Sequence, residues 1–304
     1  MQRTVGSFTL VVISLCLACF AEDKAWDRCI EDGKAAMAKR QYAEAEKAFR
    51  EALSAAEKFG EKDARFSGSL LFVAQACDGE SKQDEAEEFA KRAADAMDKA
   101  LKVNRPQKAE QQLYQADVAS ALFDKSADIF ASHHKYPTAE LLYKRVIAIR
   151  ENVAQVKHKP ASNEDYLLSL GQAMTDTQGK LAAADEKLGN LYFSESLLSE
   201  AAAMYETAIK VRESNTKGDK RALAQTTTNL ATCYARQDKY DQAERLYKRA
   251  LSLLEQVNWV ETPEGVQTLQ YYALLLKKTA RDEAANEMLE RAVSIKRKLE
   301  QSSR

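Results

Sequence analysis

One alanine recurs down this chain with a small residue at a fixed distance before it and another at a fixed distance after it. Anchored on Ala243, its equivalents are Ala285, 42 residues later, and Ala201, 42 earlier. Ala139, Ala86 and Ala45 follow at steps of 62, 53 and 41. Twelve places before each anchor stand Gly33, Ala74, Ala127, Gly189, Ala231 and Ala273, all Gly or Ala. Seven places after come Ala52, Ala93, Val146, Ala208, Ala250 and Ala292. Four places after come Phe49, Ala90, Tyr143, Tyr205, Tyr247 and Leu289, mostly bulky. Three aligned columns of this kind define an internal repeat of six units.

The columns have a physical cause. In the fifth unit Leu230, Ala231 and Tyr234 fall on one face of a first helix, and Tyr240, Ala243, Tyr247 and Ala250 on one face of a second. Arg236 to Lys239 forms the short polar turn between them. Two antiparallel helices approach to about 8 Å only where their facing side chains are small. Gly and Ala supply that seam, and the bulky column fills the gap to the next pair. One hairpin cannot bury its own apolar face, so it must stack on copies of itself. Only 10 Gly and 4 Pro in 304 residues agree with an all-helical chain.

Leu188-Gly189-x-x-Tyr192 with Ala201-x-x-x-Tyr205, and Leu230-Ala231-x-x-Tyr234 with Ala243-x-x-x-Tyr247, resemble the tetratricopeptide repeat signature. The resemblance covers roughly residues 26 to 300 and is weaker in the first two units, where Ala36 and Cys77 replace the first-helix aromatic. It implies a right-handed α-solenoid of about six stacked antiparallel helix hairpins, with units one to three over 22–160 and units four to six over 181–304. The family's closing proline is absent: Glu57, Asp98, Glu151, Glu213, Glu255 and Arg297 hold that place. Without it the second helix can continue. The regular period of 41 or 42 exceeds the usual ~34 by about two helical turns, which is similar to the repeats of kinesin light chains and their bacterial relatives.

The irregular steps ask for extra helix. Gln107 to Ala131 reads as one long first helix after the break at Asn104-Arg105-Pro106. Residues 161–180 read as an insert, either part of one very long helix or a degenerate half-hairpin opening at Asn163-Glu-Asp. Thr262-Pro263-Glu264 opens the last unit with a capping threonine and a first-turn proline.

Residues 1–21 stand apart from the repeat. Arg3 followed by the apolar stretch Phe8 to Phe20 suits a secretory signal peptide, too short to span a bilayer comfortably. Cleavage after Ala21 fits the small-x-small rule, and lipid attachment at Cys19 is the rival reading. Either implies a chain exported to the periplasm, envelope or exterior; an uncleaved anchor is the third reading.

A formal net charge of −1 gives no general attraction to nucleic acid or acidic membranes. Past the signal, Cys29, Cys77 and Cys233 form neither a disulfide framework nor a zinc set. They read as buried or free thiols, with a Cys29–Cys77 bridge as the one pairing to consider. His133 and His134, adjacent in a turn, read as solvated, and His158 marks a loop. Trp26 reads as a cover over the open end of the stack. Neither a phosphate loop nor a nucleophile elbow nor a metalloprotease motif occurs, so no enzyme, metal or cofactor is expected.

The candidate binding residues form stripes on the first helices. Gln225, Asn229, Thr232 and Arg236 follow at steps of 4, 3 and 4, opposite the buried face. Their equivalents are Ala183, Lys187, Asn190 and Ser194 in the fourth unit and Gln267, Tyr271, Leu274 and Lys278 in the sixth. The family resemblance places first helices on a concave, peptide-binding surface, where amides and cations suit an extended backbone. The expected function is a non-enzymatic scaffold for a protein or peptide partner, the alternative an envelope scaffold or lipoprotein without a defined groove. The last face, with Leu289 and Val293, is a candidate homodimer contact.

Overall fold

A computed structural model describes residues 24–103, 109–154, 164–215 and 219–302. Among them are twelve α-helices and no strand. The signal segment, Cys19, the Asn104-Arg105-Pro106 break, Asn163 and His158 lie outside the described residues. Two compact units form, Met1–Lys159 and Pro160–Arg304.

In the first unit, α1 (Lys24–Ala38) pairs with α2 (Tyr42–Glu57), α3 (Ala64–Gly79) with α4 (Gln83–Val103), and α5 (Ala109–Ser132) with α6 (Tyr136–Ala154). In the second, α7 (Glu164–Ser194) pairs with α8 (Leu198–Ser214), α9 (Lys220–Arg236) with α10 (Tyr240–Gln256), and α11 (Pro263–Lys278) with α12 (Asp282–Ser302). Each hairpin also packs on its neighbour within the unit, giving the stacked helix pairs of an α-solenoid. The 53-residue step is taken up by α5, 24 residues long, and the 62-residue step by α7, a single helix of 31.

The small columns are the seams. All six anchor alanines are fully buried, as are Ala74, Ala127, Ala231 and Ala273 in the column before them. Where that column holds glycine, the reason is the bulky column of the same hairpin. A Cβ on Gly33 would stand 2.3 Å from Phe49 Cε1, and one on Gly189 would stand 2.8 Å from Tyr205 Cε1. The bulky residues reach the next hairpin as well: Phe49 stacks on Phe72 with centroids 5.0 Å apart, and Tyr247 on Tyr272 at 5.8 Å.

Every hairpin turns the same way. Five places before each anchor, Arg40, Ser81, His134, Ser196, Asp238 and Ala280 all have φ between 56° and 63°. The next residue donates its N–H to a carbonyl five back, from Gln41 to Ala36 through Arg281 to Leu276, at 2.8–3.0 Å. This is the helix C-cap that glycine usually occupies, here built six times without one. The capped residue's own carbonyl then accepts the anchor alanine's N–H, as in Ala243 to Lys239 at 3.0 Å, so one residue closes one helix and opens the next. Elsewhere Asp63, Asp219 and Thr262 cap α3, α9 and α11 through their side chains, with Pro263 in the first turn of α11.

Two ladders of charge tie second helices to their neighbours. A cation four places before an anchor meets the glutamate just after the preceding one: Lys82 with Glu46 at 2.7 Å, Lys135 with Glu87 at 3.9 Å, Arg281 with Glu244 at 2.7 Å. An arginine six places after an anchor meets an acid in the column where the family places proline. Arg145 pairs with Asp98 at 2.5 Å, Arg291 with Glu255 at 2.9 Å, and Arg249 with Glu213. The missing proline therefore frees a position for a lateral ion pair as well as lengthening the helix.

Two expectations are corrected, and the cysteine reading holds. Trp26 covers no open end: it is 4% exposed and donates from Nε1 to Ser69 Oγ at 2.9 Å, in the seam between the first two hairpins. His133 is not a solvated turn residue. Its side chain is 5% exposed, with Nε2 2.9 Å from Asp78 and Nδ1 3.1 Å from Glu87. Cys29, Cys77 and Cys233 are free thiols, so no Cys29–Cys77 bridge forms.

Candidate functional site

The second unit carries the predicted stripes, and the structure divides them between internal and outward-facing roles. Asn190 Oδ1 accepts from Tyr205 OH at 2.8 Å, and Thr232 Oγ1 lies 2.9 Å from Tyr247 OH. Asp128 accepts from Tyr143 in the same way at 2.8 Å. The polar residue next to the small column thus satisfies the phenol of the bulky column, a buried hydroxyl that would otherwise lose its partner. The signal lies in the sequence: where the bulky column holds Phe49, Ala90 or Leu289 instead of tyrosine, the matching places are Lys34, Gln75 and Leu274.

Asn229 and Gln225 belong to a second internal arrangement. Glu186 of α7 accepts from Arg212 at 2.7 Å, from Thr226 at 3.0 Å and from Asn229 at 3.1 Å. Gln225 donates to Asn229 at 3.2 Å. Glu186 and Arg212 are 16% and 11% exposed at their side chains, so this seam joins hairpins four and five through charge-assisted bonds in a partly dehydrated site. Thr228 and Thr268, both buried, meet at 3.2 Å and join hairpins five and six. Ser194 bonds back to the Leu191 carbonyl at 2.7 Å.

What remains turned outward mixes apolar, cationic and amide groups, the exposed Asn190 among them. Arg236 lies over the Phe193 ring, 4.7 Å from its centroid, and reaches Ser196 at 3.3 Å while staying exposed. On α11, Gln267 donates to Tyr271 OH at 3.0 Å, Lys278 is exposed, and Leu274 is 59% exposed. Lys187 is half-buried on α7. Sequence reasoning missed Phe193 because it falls outside the stepped stripe; only its stacking with Arg236 brings it to this face.

Elsewhere, Glu46, Cys77 and Glu85 bring ligand atoms within 4.8 Å of one another. Burial and the nearby Glu46 push the Cys77 thiol up to about 11. Although burial opposes it, hydrogen bonds from Lys82 and Arg50 hold Glu46 near 2. A protonated thiol and a carboxylate already shared by two cations are a poor ligand set. Among the described residues no helix is long and apolar enough to cross a membrane.

Residues 180–256, which hold hairpin five and most of hairpin four, match the family model described as Tetratricopeptide repeat. That segment carries tetratricopeptide repeats. Solved structures extend the likeness across both units. BtubC (BKLC) from P. vanneervenii is 22% identical, with a TM-score of 0.55 over 74% of this chain and 78% of that one. A putative kinesin light chain with TPR-like repeats from Podosopora anserina is 15% identical, with a TM-score of 0.55 over 77% and 95%. Aspartyl phosphate phosphatase F from Bacillus subtilis is 14% identical, with a TM-score of 0.56 over 94% and 67%. At these identities the likeness is one of fold. A search of curated proteins returned no match. The repeat in residues 180–256 suggests a scaffold for protein–protein interaction.

Proposed function

We propose that this protein is a non-enzymatic, exported scaffold that holds a peptide or protein segment against the first-helix face of hairpins four to six. The carrying observation is Leu274, a leucine 59% exposed on α11 in the last of these hairpins, with Tyr271 and Gln267 on one side along the helix and Lys278 on the other. It occupies the place that in neighbouring hairpins serves a tyrosine hydroxyl, and its own hairpin, with Leu289 there, has no hydroxyl to serve. The helices beneath it are fixed by the Thr228–Thr268 contact and the Glu186 seam. A rigid face with an apolar anchor and flanking amides and cations suits capture of a short segment at small ordering cost. Export rests on Arg3 and the apolar stretch Phe8 to Phe20.

Site-specific photo-crosslinking tests the binding face. A crosslinker at Leu274 or Arg236 should trap a discrete partner in cells, and the same group at Leu141, which is 69% exposed on α6, should not. Equal trapping at all three positions would reject a localised face. Fractionation of the tagged full chain tests export, and wholly cytoplasmic recovery would reject it.

A further inference from the structure

The two charge ladders change sign or lose charge at the outermost hairpins, in a way that makes those hairpins complementary to each other. Inside the units, the acid partner sits just after an anchor (Glu46, Glu87, Glu244) or twelve places after it (Asp98, Glu213, Glu255). In hairpin six those two places hold Asn286 and Arg297. The cation partner sits four places before an anchor or six after it, and in hairpin one those places hold Gln41 and Glu51.

We propose that copies of this chain associate head to tail, hairpin six of one copy against hairpin one of another with α12 packed on α1, in the register that neighbouring hairpins use inside each unit, where each second helix packs on the next first helix. In that register Arg297 meets Glu51, an ion pair with its poles exchanged relative to the internal ladder. Asn286 meets Gln41, and two amides each offer a donor and an acceptor. All four residues are exposed, and Arg297 has no ion-pair partner among the described residues. Glu51 has only a long contact from the Cys29 thiol, 3.9 Å, among them.

The face also rejects the wrong occupant. A hairpin bearing an arginine six places after its anchor, as Arg92, Arg145, Arg249 and Arg291 do, would set that arginine against Arg297. Hairpin four, with Thr207 there, would leave Arg297 without an acid. Only hairpin one offers a carboxylate, so the charges discriminate by repulsion as well as attraction. Val293, 48% exposed, and the half-buried Leu289 supply apolar surface between the polar places on α12. The contact joins two different faces and therefore does not close at two copies unless the geometry makes a ring.

Sedimentation of the full chain over a range of concentrations at low salt, where exposed charge pairs are least screened, tests this. Mass should rise with concentration past the dimer and fall when salt is added. Arg297→Glu and Glu51→Arg, both at exposed helix positions, should each stay monomeric with unchanged melting. Mixing the two variants, or combining both changes in one chain, should restore association. A monomeric wild type at every concentration overturns the proposal. So does association that persists in either single variant, which would place the contact on another face.

Discussion

Tyr205 lies across Gly189 and donates its hydroxyl to the adjacent Asn190, 2.8 Å away. Ring, glycine and amide form one contact that sets the distance between α7 and α8, so the glycine is there to make room.

Gly189→Ala and Gly33→Ala should therefore each destabilise by ~1–3 kcal/mol through overpacking, measured by denaturant unfolding. Gly33 should be the costlier, since its Cβ would come within 2.3 Å of Phe49. Gly179 is the control: nothing lies within 4 Å of its Cβ position in α7, and Gly179→Ala should gain about 1 kcal/mol from helix propensity.

Ala280 holds a φ of 56° at the turn between α11 and α12. An alanine there carries the steric penalty of a left-handed backbone that glycine avoids. Ala280→Gly should raise stability by about 0.5–1 kcal/mol, read as a higher melting temperature; a decrease would mean that the turn gains more from a restricted unfolded chain.

Arg212→Ala should cost about 3–5 kcal/mol, because it leaves Glu186 partly buried without its cation. Asn229→Ala removes one neutral donor from the same carboxylate and should cost about 1–2 kcal/mol. Equal losses in thermal unfolding would show that the guanidinium is not what holds the seam.

Glu244 titrates well below its ordinary range, near 2, chiefly through hydrogen bonding from Arg281, opposed by burial and helped by Lys248. Its folded value lies below its unfolded value of about 4.5. Its contribution is thus complete above pH ~4.5 and fades as pH falls toward 2. Glu244→Gln should flatten that part of the acid-unfolding curve and leave stability near pH 7 lower than wild type.

The repeat, its hairpins and the buried small columns were legible because they obey one helical period that local sequence carries. Thr262 and Pro263 announced the start of α11 for the same reason. The role of His133 was not, since Asp78 and Glu87 reach it from α3 and α4, far along the chain. Nor was the left-handed geometry of the six turns, because such positions are usually sought by glycine and none of these holds one. The stripe on α9 was visible as a polar face, but its division between Thr232 and Asn229, which serve neighbouring helices, and Arg236, which stays outward, depends on side chains in α7 and α10. Leu274 stood in the predicted stripe; its meaning follows from Leu289 replacing a tyrosine.

The seam contacts join residues close in sequence, such as 33 with 49 and 189 with 205. A chain built this way has little loop entropy to overcome before its first native contacts form. Each hairpin can close as soon as its own two helices have emerged from the ribosome, and each completed turn offers the next a surface to settle on.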